Sequence, residues 1–294
     1  MSAKPLPALL GLALAAAPSA QPAPAEQRAH WVATCKDWDG WDKPAPPFKV
    51  FGNTYYVGTC GISAVLIATD AGEVVIDAGP ANAGGLVARN IETLGFRLAS
   101  VKLLLNTHEH HDHAGGLAVL HRLTGAPVLV SPAAAAALRA GTAGPGDPQF
   151  ADHHPFPTVA VQRALGAGEV LSLGTLRLKS YATPGHTPGA TSWLWRACEG
   201  AVCRTIVYAD SLTPVSSGTY RFTDHRAYVA AFRKSLALVA SLDCDILLSP
   251  HPSASGMRDR LAKGHLVNPL GCKAYAAGLG KQLDERLAKE AHGG

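Results

Sequence analysis

Six consecutive residues, His108-Glu109-His110-His111-Asp112-His113, are all titratable, and they follow directly on the apolar run 101–105 and the pair Asn106-Thr107. A short apolar run that ends in polar residues reads as a buried strand. Open α/β sheets place their sites beyond the carboxyl ends of such strands. Side chains two apart on a strand point to one side, so His108 and His110 can share a metal ion. A helical turn after His111 would swing Asp112 and His113 toward a second ion. A histidine-rich surface loop is the alternative, but it leaves the strand ending in polar crowding to no purpose.

Two more histidines stand just past strand-like runs. His186 lies in Thr183-Pro184-Gly185-His186-Thr187-Pro188-Gly189, a tight loop after 176–182, and His251 lies in Ser249-Pro250-His251-Pro252 after the run 245–249. Either alone is an ordinary structural histidine. Three strand ends that each deliver one form a pattern by which sheets assemble active sites.

Between these points the chain alternates strand and helix signals. Strand-like runs at 48–57, 63–69 and 73–77 are punctuated by Asn53, Gly61 and Asp70-Ala71-Gly72. A helix over 85–95, a strand over 101–105, a helix over 114–124, a strand over 127–130 and an Ala-rich helix over 132–140 follow. Residues 141–160 read as a long loop, which in a compact domain is usually functional. Strands are predicted at 169–173, 176–182, 191–196 and 205–208, a helix over 224–242, a strand over 245–249, and helical segments to the end. Strand meanders followed by αβ units occur in both halves, which suits two sheets packed face to face with helices outside. No polar linker divides the chain, so residues 26–294 read as one domain.

Composition narrows the class. The chain has 294 residues, 47% hydrophobic and 16% charged, enough apolar material for a sizeable core. Its net charge of +4 is not gathered into a Lys/Arg run, so nucleic-acid binding has no footprint. Residues 1–25 read as a cleaved export signal: Lys4, the apolar run 9–17, and small-residue cleavage sites at 17–20 and 22–25. The apolar run is far short of the roughly 20 residues of a membrane span, so no membrane attachment is expected of the mature form, which would start within 21–26. Six cysteines in an exported chain suggest three disulfides. Cys198 and Cys203 flank a turn between two strand-like runs and should face each other. Cys35 with Cys60 and Cys244 with Cys272 are the nearest remaining partners, among several possible pairings. No Cys-x-x-Cys occurs, which argues against cysteine ligation.

The His-x-His-x-Asp-His pattern at 108–113, the Gly-His-Thr-Pro-Gly at 185–189 and the histidine after a late strand together resemble the metallo-β-lactamase superfamily, in order and spacing over most of 48–270. The resemblance implies an αββα sandwich with two Zn2+ ions at the edge between the sheets. Within that fold the chain looks like the third subclass of class B β-lactamases, because Ser211 stands where the first subclass has a cysteine ligand and no asparagine replaces a histidine of the first site. The segments 35–41 and 56–61 and the cysteine pattern look like secreted members of that subclass. It implies His108, His110 and His186 on one zinc, and Asp112, His113 and His251 on the other. The implied reaction is opening of a small-molecule β-lactam antibiotic by water that the two zinc ions activate, with Asp112 orienting that water. Ser211 and Thr213 would hold the substrate carboxylate, and Gln149 resembles a substrate-contacting position.

Neither Ser-x-x-Lys nor Gly-x-Ser-x-Gly is present, so no serine nucleophile is expected. Glyoxalase-type thioesterases and lactonases of the superfamily use an aspartate after a comparable strand to bridge both metals. If Asp210 bridges, another exported dizinc hydrolase (thioesterase, lactonase or phosphodiesterase) is implied. If it turns away, a lactamase is. Expected besides are a periplasmic monomer, His111 pointing away from the metals, His153 and His154 solvated in the long loop, and Trp38, Trp41 and Tyr56 mostly packed. Asn106 and Thr107 would hydrogen-bond the ligating imidazoles.

Overall fold

The structure, a computed structural model, describes residues 21–166 and 168–292. The expected export signal lies outside them except for its last five residues. Seven strands form the first sheet in spatial order: β1 (Phe48–Phe51), β2 (Thr54–Tyr56), β3 (Val65–Thr69), β4 (Gly72–Ile76), β5 (Val101–Leu105), β6 (Val128–Val130) and β7 (Val161–Ala164). The first three pairings are antiparallel and the last three parallel. Helix α1 (Pro24–Thr34) precedes this sheet, and α2 (Gly84–Thr93), α3 (His111–Ala114), α4 (Leu117–Thr124) and α5 (Pro132–Ala140) connect its parallel strands. The second sheet holds β8 (Val170–Leu173), β9 (Leu176–Ala182), β10 (Thr191–Glu199), β11 (Val202–Tyr208) and β12 (Ile246–Leu248), with α6 (Arg226–Ser241) crossing between the parallel β11 and β12. Helices α7 (Met257–Ala262) and α8 (Gly271–Ala291) follow. None of the described helices is long and apolar enough to cross a membrane.

The strands sort their side chains with period two, and that sorting builds the layers. From β4, Val74 and Ile76 enter the central core while Val75 joins the core under α2, α4 and α5. From β11 and β12, Ile206, Tyr208, Ile246 and Leu248 enter the same central core, while Val207 and Leu247 join the one beneath α6 and α8. Three apolar layers therefore separate helix, sheet, sheet and helix, which is the αββα sandwich. Strands buried on both faces explain the near-continuous apolar runs of the sequence.

Two elements escaped the sequence reading. The edge strand β7 exposes three of its four residues, so its sequence carries no apolar alternation. Helix α1 contributes only Trp31 as a buried residue, against Phe48 and Tyr56. The run 48–57 is also two strands rather than one, broken where Gly52 takes a φ of +56°. The three disulfides join Cys35–Cys60, Cys198–Cys203 and Cys244–Cys272.

Candidate metal centre

β5 ends at Leu105, so His108 and His110 are not on a strand, and alternation along one is not what aligns them. The backbone runs on irregularly to His110, which caps α3. The His113 and Ala114 N–H groups donate to the His110 carbonyl at 3.1 and 2.8 Å. The Ala78 N–H donates to the His113 carbonyl at 3.0 Å, clamping this turn to the end of β4. The expected helical swing at His111 is present, and it brings Asp112 and His113 to the side on which His108 lies.

Two sets of donor atoms result. One atom each from His108, His110 and His186 lie within 4.8 Å of one another, as do one each from His108, Asp112 and His113. Asp112 Oδ2 is 3.0 Å from His113 Nε2 and 3.5 Å from His251 Nε2, and those two nitrogens are 3.3 Å apart. Chain segments some 140 residues apart in sequence thus deliver six side chains to one place. All six histidine and aspartate residues expected as ligands are in it.

The second nitrogen of each first-set imidazole is engaged. His108 Nδ1 sits 3.2 Å from Thr107 Oγ1 and 2.8 Å from Asp210 Oδ1, the latter without the alignment of a hydrogen bond. His110 Nε2 is 3.0 Å from Asp147 Oδ2, and His186 Nδ1 faces the Thr213 carbonyl at 3.0 Å and hydroxyl at 2.9 Å. The nitrogens left for a common partner are His108 Nε2, His110 Nδ1 and His186 Nε2. Asp210 accordingly lies behind His108, and its Oδ2 accepts the Leu212 N–H at 3.3 Å.

Beneath the ligands is a polar floor that the sequence only hinted at. Asp77 accepts the Thr107 N–H at 2.7 Å, the Thr107 hydroxyl at 2.9 Å and the Tyr208 hydroxyl at 2.7 Å. It does so from a left-handed backbone conformation, φ +66°, a strain that its three bonds hold in place. Burial raises its carboxyl to about 6 despite these donors. Glu109, whose side chain the sequence left without a role, accepts the Thr187 hydroxyl at 2.8 Å and the Gly189 N–H at 2.9 Å. It ties the loop of His108 and His110 to the loop of His186. Only glycine fits at 189, because a Cβ there would strike the Glu109 carboxylate and come within 2.7 Å of Ala134 N. At 185 a Cβ would run into the Phe232 ring. Thr107 takes its expected place, whereas the Asn106 side chain is buried without partners and only its carbonyl is used, by Trp193.

The residues expected to touch substrate divide. The Ser211 hydroxyl is buried and has no protein partner. The Thr213 carbonyl and hydroxyl oxygens both face His186 Nδ1, and a hydroxyl that accepts from this N–H keeps its own proton for a further partner. Gln149 sits beside Asp147 in the long loop, its Nε2 unpartnered. His153 is also not the solvated residue expected. Its ring is 4.8 Å from that of His110 and its Nε2 accepts the His111 N–H at 3.3 Å. His111 turns to His153, His154 and Trp41 instead of the donor cluster. Tyr56 is core, Trp38 is 83% exposed, and Trp41 stands half out of the surface with its ring 5.8 Å from His251.

These residues fit a metal. A buried imidazole nitrogen with no partner, as at His108 Nε2, costs about 1–3 kcal/mol, and three donor atoms with lone pairs converge within 3.5 Å at the second set. Burial, with the neighbouring imidazoles, drives His108 well below the ordinary histidine range, His186 to about 3 and His251 to about 4. Neutral imidazole is the form that ligates. At Asp112 burial opposes the charge, but His113 and His251 outweigh it and hold the carboxyl well below the usual range. The set is nitrogen-rich with one carboxylate, which suits zinc among divalent ions.

The model of the metallo-β-lactamase superfamily matches residues 57–251. Among solved structures, the MIM-2 metallo-β-lactamase is 55% identical and superposes with a TM-score of 0.87 over 90% of this chain and 98% of that one. MEM-A1, a subclass B3 metallo-β-lactamase from a soil metagenome library, is 44% identical, with a TM-score of 0.84 over 86% of this chain and 99% of its own. Among curated proteins, the hydroxyacylglutathione hydrolase of Maricaulis maris is 34% identical over 31% of this chain. The match spans only 27% to 44% of the length of the first four such hydrolases. Fold, donor set and likeness agree: the chain belongs to the metallo-β-lactamase superfamily, with the subclass B3 metallo-β-lactamases.

Proposed function

We propose that the chain is an exported dizinc hydrolase that opens the β-lactam ring of antibiotics. The observation that carries this reading is Asp210. Its carboxylate lies at the far nitrogen of His108 and on its own backbone, so it does not bridge the two donor sets as the thioesterase-type centre requires. The ligands are then His108, His110 and His186 for one ion and Asp112, His113 and His251 for the other.

A pair of metal ions held there would supply a Lewis acid for a carbonyl oxygen and would lower the pKa of a water to about 7. The chain's own residues do the rest. Asp112 presents Oδ2 to the second donor set and keeps Oδ1 free of protein hydrogen bonds, so Oδ1 accepts a hydrogen bond from the attacking water and aims that water's lone pair at the lactam carbon. The neighbouring imidazoles keep Asp112 ionised, and it orients the water without becoming an acid. As the C–N bond breaks, the ring nitrogen gains the proton that the water has lost. Ser211, the hydroxyl without a protein partner, donates to the substrate carboxylate, joined by the Thr213 hydroxyl and by Gln149 of the long loop. Trp41 offers an apolar face at the mouth beside His251.

The sequence of residues 1–25 and the three disulfides support export to the periplasm, and nothing in the reaction requires more than one subunit. Hydrolysis of nitrocefin by the purified mature chain, abolished by a chelator and restored by zinc, is expected. Turnover of a glutathione thioester without any lactam turnover would favour the thioesterase instead.

A further inference from the structure

We propose that Asp147 is the positioning residue of His110, and that through it the loop 141–160 is part of the metal centre. The inference rests on the reading of His110 as a ligand. Asp147 is 2% exposed although it sits in a Gly/Pro loop. Its Oδ2 is 3.0 Å from His110 Nε2, and its Oδ1 accepts the Gln149 N–H at 2.7 Å. The backbone around it is equally committed. The Asp147 N–H donates to the Gly144 carbonyl, the Phe150 N–H to the Asp147 carbonyl, and the Ser217 N–H to the Pro148 carbonyl, at 2.9, 3.1 and 2.9 Å. The carboxylate is thus held still, with an N–H donor for each oxygen.

The consequence for His110 follows from the chemistry of a neutral imidazole, which has one N–H and one lone pair. A carboxylate facing Nε2 requires the proton there, which leaves the lone pair on Nδ1. Among the described residues no other acid contacts this ring. Asp147 therefore selects both the tautomer and the ring orientation in which His110 meets the metal, as carboxylate partners of metal-bound histidines do. The loop is anchored a second time where His153 Nε2 accepts the His111 N–H at 3.3 Å. Linkage then works both ways. If the docked loop favours metal, bound metal favours the docked loop by the same factor.

The test compares zinc affinity of the full mature chain with that of Asp147→Ala and Asp147→Asn, by competition with a chromophoric chelator. The alanine variant is expected to bind its first-site zinc about 10–100-fold more weakly. The asparagine, which accepts from only one of the two N–H groups, should fall between. Zinc should also slow hydrogen exchange over 144–150 in the wild type but not in Asp147→Ala. A folded Asp147→Ala with wild-type zinc affinity overturns the proposal. So, independently of any variant, does long-range 1H–15N NMR of the zinc-loaded wild type that finds the metal on His110 Nε2. A wild-type chain that binds no zinc would sink the reading of the site itself, a separate outcome.

Discussion

Each imidazole of the first set offers one nitrogen to the cluster and commits the other to an oxygen, and that division is where the individual residues earn their roles. His110→Ala should remove the first-set metal and nearly all lactam turnover; full zinc content with retained turnover would refute the assignment. The two hydroxyls expected as substrate contacts differ in that only Thr213 also touches a ligating imidazole. Ser211→Ala should raise KM more than it lowers kcat. Thr213→Val keeps the carbonyl but removes the hydroxyl that faces His186 Nδ1, so it should raise KM and also weaken zinc binding through that ring. Steady-state kinetics with a zinc titration separate the two. The ligands themselves were legible in the sequence because chemistry concentrates in 108–113 and at two Pro/Gly loops. Their supports were not. Glu109 meets partners 78 and 80 positions away, and Asp147 is a lone acid in a loop with no periodicity. Only three-dimensional proximity gives either of them meaning.

At the scale of elements, the site hangs from strand ends of both sheets and is braced from behind by α8. The Tyr275 hydroxyl donates to the Asp210 and Ser211 carbonyls at 2.9 and 2.8 Å, steadying a turn in which Leu212 takes a φ of +47°. Tyr275→Phe strands two buried carbonyls and should cost about 1–3 kcal/mol in urea unfolding, together with weaker lactam binding. Farther along α8, burial resists the charge of Glu290, but Arg286 and the Thr223 N–H outweigh it and lower its pKa. A carboxyl lowered on folding stabilises the chain above its unfolded value, about 4.3, and that contribution fades as pH falls through the folded value. The stability gap between wild type and Glu290→Gln should therefore close on going from pH 6 to pH 3; a gap that widens would reverse the sign. Most elements could be read from apolar periodicity. The strand expected to carry His108 and His110 could not, because it stops at Leu105 and the rings sit instead on an irregular run that ends in the His110 cap.

At the scale of the molecule, the αββα order was readable from strand–helix alternation and from apolar runs buried on both faces. The choice among hydrolases was not. The lactamase proposed here leans on which way one aspartate points, and sequence carries the identity of Asp210 but not its direction. The whole fold brings histidines from residues 108 to 251 around one cluster, so the central claim is a metal-dependent lactam hydrolase. It is tested most directly by measuring bound zinc per purified mature chain together with hydrolysis of a carbapenem, before and after chelation. Two zinc ions per chain and carbapenem turnover that disappears and returns with zinc are expected. A chain without metal, or one that opens the carbapenem equally well after zinc is stripped, would contradict the claim.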